Sequence, residues 1–280
     1  MTLPSGRRLA YAEAGDPDGV PVVVFHGLPG SRLQQHPDDS IARNAGAWLI
    51  HVDRPGFGRS DPCPGRTLDA WPRDVAALAD ALALGRFAVV GLSGGGPFAL
   101  ACAALLGERL TRVAVVSGVG SPGSMPMRGT TLPVWLAFGM AHASPWLLSA
   151  ALGAAAQLGR AYPDRYLDVV ASHMAPADRP ILARPEVRAM YARDLPEAFR
   201  QGTGAMVDDL SLLSRPWDLP LERVSVPVRF WHGDADRMVP VSAAQHLAAA
   251  TPGATLTLCQ GEGHFLILDR WAEVLRWGVA

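Results

Sequence analysis

The chain has 280 residues, of which 49% are hydrophobic and 18% are charged, and its formal net charge is −1. This composition excludes a disordered chain and is typical of a globular protein with a large core. The basic residues are scattered along the sequence, so we expect neither nucleic acid nor an anionic membrane as a partner.

The cysteines and the opening residues both favour a reducing compartment. Cys63, Cys102 and Cys259 stand far apart, and no C-x-x-C motif occurs. This argues against a disulfide framework and against a cysteine zinc site. The opening residues contain no apolar run after their basic pair, so we expect no signal peptide. The sequence therefore predicts a cytoplasmic protein that uses no metal and no other cofactor.

In the first part of the chain, short apolar runs alternate with helical patterns. Each run is rich in β-branched residues and ends at a turn former, as expected for a strand buried on both faces. The four runs are residues 21–27, 47–53, 87–93 and 112–118. Helical patterns lie between them, at 67–84 and 95–107. This alternation predicts an α/β fold with a mostly parallel, doubly wound sheet.

The pattern changes between residues 120 and 218, where helical stretches, prolines, methionines and tryptophans occur without a convincing strand. Strand patterns return at 226–233 and 254–260, and a helical pattern follows each of them. We therefore predict a core domain of residues 1–119 and 219–280. A helical cap, residues 120–218, is inserted into this core.

One apolar stretch within the predicted cap raises the question of a membrane span. Residues 129–159 contain no charged side chain. However, Ser144-Pro145 is an expected helix boundary, and His142 and Gln157 also interrupt the stretch. We predict two short apolar helices, one on each side of Pro145, and no stable membrane insertion.

One serine lies where a predicted strand turns into a predicted helix. Residues 91–95 read G-L-S-G-G, which matches the G-x-S-x-G pattern in its expected context of strand, turn and helix. A sharp turn requires small residues on both sides of Ser93. It also directs the amino end of the helix at the reacting centre, where developing negative charge is favoured. We interpret Ser93 as a nucleophile.

A serine hydroxyl is a poor nucleophile unless a base removes its proton, and the base should be a histidine on another loop. His264 follows the last predicted strand and lies among glycines, unlike the histidines found in helical, polar or strand patterns. A carboxylate that orients this histidine should follow the strand at 226–233. Asp234 and Asp236 both satisfy that requirement.

Five motifs, in this order, resemble those of the α/β-hydrolase superfamily, in the branch that carries a cap and an HGxPG loop. They are HGLPGSR at 26–32, DRPGFGRSD at 53–61, GLSGGG at 91–96, GDADRMVP at 233–240 and GEGHF at 261–265. Each motif alone is weak evidence, but together they span nearly the full length of the chain. The resemblance implies the α/β-hydrolase fold with a Ser-His-Asp triad.

The resemblance also decides between the two aspartates. The acid loop of the family reads G-x-x-D-x-x-V/I-P, which matches Gly233, Asp236, Val239 and Pro240 in this chain. Asp236 is therefore the expected partner of the histidine, and Asp234 is expected to stabilise the turn.

For the oxyanion hole, the resemblance implies the backbone N–H groups of Leu28 and Gly94, with a cis peptide bond before Pro29. We expect Arg32 to form a structural salt bridge rather than to hold a substrate carboxylate. We expect His26 to brace the loop.

The apolar residues of the predicted cap, Met127 among them, favour a hydrophobic acyl or alcohol pocket over the serine. The proposed substrate-binding residues are Trp135, Phe138, Met140 and Met206. In aminopeptidase relatives, acids of the cap bind the free amine of the substrate. For Asp208 and Asp209, a solvated helix face is the preferred interpretation.

The leading hypothesis is a serine hydrolase that cleaves a carboxylic ester of a small-to-medium hydrophobic molecule through an acyl-enzyme. The enzymatic alternatives are a proline-iminopeptidase-like aminopeptidase, a C–C bond hydrolase and a perhydrolase. The loop reads HGLPG and not the HGGPG that is typical of iminopeptidases, which argues against the aminopeptidase. Dehalogenases and epoxide hydrolases are excluded because they need an aspartate at position 93.

The non-enzymatic alternatives are a receptor-like ligand-binding protein and an interaction partner. We expect a small-molecule ester as the partner and either a monomer or a homodimer.

Overall fold

The computed structural model describes residues 1–122, 124–125 and 130–280. Its strands are β1 (Tyr11–Gly15), β2 (Val20–Phe25), β3 (Ala47–Val52), β4 (Phe87–Leu92), β5 (Leu110–Val116), β6 (Val228–Gly233) and β7 (Thr255–Cys259). They form one sheet in the order β1-β3-β2-β4-β5-β6-β7. β1 is antiparallel to β3, and every other neighbouring pair is parallel.

The α-helices of the described residues fall into two groups, those that flank the sheet and those between β5 and β6. The helices are α1 (Ser40–Asn44), α2 (Trp71–Ala81), α3 (Gly96–Leu106), α4 (Leu132–Ala143), α5 (Pro145–Ala161), α6 (Pro163–His173), α7 (Asp178–Leu182), α8 (Pro185–Ala198), α9 (Gly204–Leu213), α10 (Val241–Ala250) and α11 (Ile267–Val279).

Helices cover both faces of the sheet, because the strands are apolar on both sides. In β2, Val23 and Phe25 belong to the core shared with α2, α3 and α10. Val22 and Val24 belong to the core on the opposite face, which α1 and α11 complete. These side chains are at most 1% exposed. The mostly parallel, doubly wound α/β fold predicted from the sequence is confirmed.

The sequence did not reveal β1 as a strand. Its residues, YAEAG, include two alanines, a glutamate and a glycine, which have low strand propensity. Pairing with β3 holds the segment in place, from Tyr11 opposite Val52 to Gly15 opposite Trp48. This tertiary pairing outweighs the local preference of the residues.

The helices α4–α9 form an insertion between β5 and β6 and have two small cores of their own. Four of them, α4, α5, α6 and α8, carry a proline in the first or second position. Proline is tolerated there because the first N–H groups of a helix have no intrahelical acceptor. Met127 lies outside the described residues.

α4 ends at Ala143 and α5 begins at Pro145, so the helix boundary lies at Ser144-Pro145, as the sequence predicted. None of the helices in the described part of the chain combines the length and the apolar character needed to cross a membrane.

Candidate active site

Ser93 lies in a turn that leaves no space for side chains two positions before and two positions after it. Directly after β4, residues 93–95 form one 3-10 turn that leads into α3. A Cβ on Gly91 would lie 2.6 Å from the carbonyl oxygen of Gly95, and a Cβ on Gly95 would lie 2.5 Å from that of Phe25. Ser93 itself has φ of 49°, a conformation that costs a serine about 1–3 kcal/mol. The turn therefore holds the serine in a strained position.

Two hydrogen bonds connect Ser93, His264 and Asp236. Ser93 Oγ lies 3.0 Å from His264 Nε2, and His264 Nδ1 lies 2.7 Å from Asp236 Oδ2. The three residues follow β4, β7 and β6, so they meet at the carboxyl edge of the parallel sheet. When Nδ1–H donates to the aspartate, Nε2 is left with a lone pair that can accept the serine proton.

The two aspartates of the acid loop have different environments. Asp236 is 5% exposed, and its Oδ1 accepts hydrogen bonds from the N–H groups of Met238 and Val239. These bonds fix the carboxylate so that Oδ2 faces His264. Asp234 instead accepts a hydrogen bond from the Gly261 N–H at an exposed turn, 2.7 Å away. Asp236, and not Asp234, contacts the histidine.

The electrostatics of His264 favour a positive charge on the ring. Burial lowers the pKa of His264, but the charge and hydrogen bond of Asp236, together with the charge of Asp178, raise it. The net effect is a pKa above the ordinary value of 6.5. A basic imidazole held in this way is suited to take a proton from a hydroxyl group.

The loop after β2 packs directly against the Ser93 turn. A Cβ on Gly94 would lie 2.6 Å from Leu28 Cδ1. The Gly94 N–H belongs to the first turn of a helix, where no intrahelical acceptor exists. The Leu28 N–H makes no hydrogen bond within the described part of the chain, and the bond between Leu28 and Pro29 is cis. Neither N–H group therefore has an acceptor among the described residues.

A cavity of about 120 Å³ opens beside Ser93 and His264. The insertion contributes apolar and aromatic side chains from two of its helices, Tyr166, Leu167 and Val170 on α6 and Met190, Tyr191 and Leu195 on α8. Among the described residues that line the cavity, none is Asp, Glu, Lys or Arg. The cavity therefore suits neutral, largely apolar groups.

Comparison with known proteins identifies the family of the chain. A family model described as alpha/beta hydrolase fold matches residues 20–270. The chain belongs to this family. Within this fold, a serine on the turn after a central strand and a histidine after the last strand are the expected positions of the reacting groups.

Two relatives in sequence and one solved structure show how much of this alpha/beta hydrolase each similarity covers. A non-heme chloroperoxidase from Streptomyces lividans is 36% identical over 121 residues, which cover 42% of this chain and 44% of that enzyme. A 2-hydroxymuconate semialdehyde hydrolase from Pseudomonas putida is 28% identical over 95% of this chain and 88% of its own. An esterase structure from Thermogutta terrifontis has a TM-score of 0.66 at 21% identity, over 99% of this chain and 94% of that one. This structural likeness supports the fold alone.

The four residues that the sequence suggested for substrate binding do not line the cavity at Ser93. Trp135 and Phe138 line a separate cavity near Gly120 and Leu213. Met140 and Met206 pack with Leu148 and Leu210 inside the insertion. The suggestion was wrong because α4 packs against α5 and α9, which leaves α6 and α8 to face the serine.

The sequence favoured a solvated helix face for Asp208 and Asp209. This prediction is wrong for Asp209, which is fully buried. Asp209 lies 2.9 Å from Arg54 Nε and 2.6 Å from Arg66 Nη2. Asp208 is partly exposed and lies 3.3 Å from Arg66. Asp209 is therefore paired with two arginines, and neither carboxylate lines the cavity at Ser93.

Arg54 was not identified from the sequence, although it supports the loop that carries Leu28. It is fully buried and donates hydrogen bonds to the carbonyl oxygens of His26 and Gly27. His26 donates from Nδ1 to the Gly27 carbonyl and accepts from the Arg54 N–H at Nε2, so it braces the same loop. Arg32 lies 2.7 Å from both Asp53 and Glu197, in a buried ion-pair network.

Asp178 is a second residue that sequence reasoning missed. It begins α7 in the insertion and is fully buried. Its two oxygens accept hydrogen bonds from the N–H groups of His264 and Phe265, at 3.1 and 2.8 Å. A Cβ on Gly263 would lie 2.2 Å from Asp178 Oδ2, so only glycine fits there. No local motif identifies Asp178, because its partners lie 86 and 87 residues away in the chain.

The described residues contain no group of three His, Cys, Asp or Glu side chains that could hold a metal ion.

Proposed function

We propose that this alpha/beta hydrolase is a serine hydrolase that cleaves neutral carboxylic esters. The observation that supports the proposal most strongly is the hydrogen-bonded series of Ser93 Oγ, His264 and Asp236, with distances of 3.0 and 2.7 Å. A nucleophile, a base and an orienting acid within direct hydrogen-bond reach are what acyl transfer through a serine requires.

In the proposed reaction, Ser93 Oγ attacks the ester carbonyl while its proton moves to His264 Nε2. Asp236 holds the imidazole in the required tautomer and stabilises the imidazolium that forms. The Leu28 and Gly94 N–H groups donate to the oxyanion of the tetrahedral intermediate. His264 then protonates the departing alcohol. A water molecule, deprotonated by His264, releases the acid from the acyl-enzyme and regenerates Ser93.

The cavity supports a neutral ester over the charged substrates of the alternative reactions. An aminopeptidase must bind an ammonium group, and an unpaired buried charge is strongly unfavourable in an apolar cavity. The lining residues described here include no carboxylate for that purpose, and Asp208 and Asp209 are paired with arginines. The lining also offers no Arg or Lys for a substrate carboxylate.

The test combines active-site labelling with substrate profiling. Wild-type protein should be labelled by a fluorophosphonate probe and should hydrolyse p-nitrophenyl esters much faster than aminoacyl naphthylamides. Ser93→Ala should lose both labelling and turnover, by a factor of about 10⁶ for turnover. Ser172→Ala, which changes an exposed serine on α6, is the matched control and should behave like wild type. Labelling of Ser93→Ala at the wild-type rate would overturn the proposal, as would a preference for aminoacyl substrates.

A further inference from the structure

The orientation of one proposed oxyanion donor depends on a single peptide unit of the loop after β2. The Leu28 N–H belongs to the peptide that joins Gly27 to Leu28. A Cβ on Gly27 would lie 3.5 Å from Ser93 Cβ, so this peptide adjoins the serine. The dihedral angles on either side of a loop peptide are soft, and rotation about them reverses the directions of its N–H and C=O groups. The Leu28 N–H can serve Ser93 only if other groups hold the peptide.

Three of the four polar groups in the two peptides on either side of Gly27 are anchored by hydrogen bonds. Gln34 Oε1 accepts from the Gly27 N–H at 2.7 Å. The His26 carbonyl accepts from Arg54 Nη1. The Gly27 carbonyl accepts from His26 Nδ1 at 2.8 Å and from Arg54 Nη2 at 3.2 Å. The fourth group, the Leu28 N–H, has no acceptor in the described part of the chain.

The anchored carbonyl determines the direction of the unpaired N–H. The Gly27–Leu28 bond is trans, and a trans peptide directs its N–H and its C=O to opposite sides. His26 and Arg54, the donors to the carbonyl, are buried and are not among the described residues that line the cavity. Gly27 and Leu28 line the cavity together with Ser93. The carbonyl therefore faces the buried donors, and the N–H faces away from them.

Arg54 is itself held by an ion pair and by two aromatic rings. Its Nε donates to Asp209 on α9 at 2.9 Å, and its Cζ lies 5.3 and 4.9 Å from the ring centroids of Phe57 and Phe98. A guanidinium presents five N–H donors in a rigid plane, so it can serve one carboxylate and two carbonyls together. A charged donor also makes a stronger hydrogen bond and polarises the amide that accepts it.

We propose that Arg54 is a positioning residue of the oxyanion hole. By holding the Gly27 carbonyl, Arg54 keeps the Leu28 N–H directed at the substrate oxygen that becomes negative when Ser93 attacks, and its charge makes that N–H a stronger donor. The proposal rests on the proposed function, because an oxyanion forms only if Ser93 attacks a carbonyl. Arg54 does not contact the substrate and acts through the peptide that it holds.

Replacing the carbonyl oxygen of the substrate with sulfur tests this role. Sulfur is a weak hydrogen-bond acceptor, so oxyanion donors should assist the cleavage of a thiono ester less than that of the ordinary ester. The probes are p-nitrophenyl butanoate and its thiono analogue. The kcat/KM of the ester divided by that of the thiono ester therefore reports on the donors. A change that only displaces Ser93 or His264 lowers both values and leaves this ratio unchanged.

Arg54→Met and Arg54→Lys should both lower the ratio of ester to thiono ester. Loss of a complete oxyanion donor costs about 10²–10³ in kcat, so a donor that remains but is no longer held should lower the ratio by about tenfold or more in Arg54→Met. Arg54→Lys keeps the charge without the planar fork and should have a smaller effect. Asp209 retains Arg66 as a partner at 2.6 Å in both variants. If Arg54→Met does not fold, Arg54→Lys provides the test.

Arg66→Met is the matched control. The Arg66 side chain is 4% exposed and pairs with Asp209, as Arg54 does. Its hydrogen bonds go to Ala205, Asp208 and Asp209, and none of those found in the described residues reaches the loop after β2. Arg66→Met therefore removes a buried arginine from the same aspartate without releasing the Gly27 carbonyl. Its ratio should equal that of wild type.

The outcomes separate the role of Arg54 from the proposed function. If the two esters lose the same factor in the Arg54 variants, or if Arg66→Met lowers the ratio equally, the positioning role is overturned while the serine hydrolase remains. The same conclusion follows if the wild-type ratio equals that of alkaline hydrolysis, since no donor would then act on the oxygen. If wild type hydrolyses neither ester and Ser93 is not labelled by a fluorophosphonate, the proposed function itself has failed.

Discussion

At the scale of single residues, Asp234 and Asp236 differ in what they bind, although they are two positions apart. Asp236→Asn keeps the size of the side chain but favours the wrong tautomer of His264, which in a serine protease costs about 10⁴-fold in turnover. Asp234→Asn should change turnover little, because an asparagine oxygen can still accept from the Gly261 N–H. Both variants are assayed on one activated ester. An inactive Asp234→Asn beside an active Asp236→Asn would reverse the assignment.

Asp178 gives a second prediction at this scale, in the pH dependence of kcat/KM. The proposed reaction needs neutral His264, and the pKa of His264 is raised above 6.5. Activity should therefore be lost as the pH falls through a value above 6.5. Asp178→Asn removes a negative charge that raises this pKa, so the acidic limb of the profile should move to lower pH.

Rate measurements across the pH range of that limb, for wild type and Asp178→Asn, check this expectation. A variant that loses activity equally at every pH, with an unmoved limb, would mean that Asp178 supports only the structure of the histidine loop. Asp164→Asn, at an exposed site on α6, provides a control without contact to that loop.

At the scale of elements, α9 is joined to the loop after β3 by a buried ion-pair network. Asp209→Asn would leave Arg54 and Arg66 buried without this counter-charge, which should cost about 3–5 kcal/mol in the free energy of unfolding. Asp208→Asn is the matched control, since its side chain is 44% exposed, and it should cost about 0–1 kcal/mol. Urea denaturation measures both. If the two variants lost equal free energy of unfolding, the buried ion pairs of Asp209 would not stabilise the fold more than the exposed pair of Asp208.

The elements also explain what the sequence could and could not reveal. Strands β2–β7, the serine turn and the acid and histidine loops were predictable, because each depends on a short run of residues such as the glycines around Ser93. β1 could not be predicted as a strand, because its pairing with β3 stabilises it. The roles of Asp178 and Arg54 could not be predicted either, because their partners lie far away in the chain. The pocket residues were assigned to the wrong helices, since apolar composition does not tell which helix of the insertion faces the serine.

At the scale of the whole molecule, the stability of the fold should depend on the ionisation of Asp194. This residue on α8 is fully buried, and Ser31 donates to its Oδ1 from both N–H and Oγ. Oδ2 has no described partner. Burial raises the pKa of Asp194 from 3.8 to about 7, although the Ser31 hydrogen bonds lower it. The folded state therefore binds this proton more tightly than the unfolded state, so the contribution of Asp194 to stability falls as the pH rises from about 4 to about 7.

Asp194→Asn removes the ionisation. The melting temperature of the variant minus that of wild type should increase from pH 5 to pH 8, because the wild type loses stability over this range and the asparagine does not. Thermal unfolding at several pH values measures the difference. A difference that stays constant with pH would contradict the prediction.

The distance along the chain between Ser93 and His264 has a consequence for biosynthesis. The two residues are 171 positions apart, and ribosomes add about 5–20 residues each second, so roughly 10–30 s pass between them. During that interval the nascent chain contains the serine and most of the strands beside it, but not His264, the proposed acceptor of its proton. A serine without its base is a poor nucleophile. The growing polypeptide is therefore expected to be chemically inert toward esters until His264, which follows β7, has been synthesised and β7 has paired with the sheet.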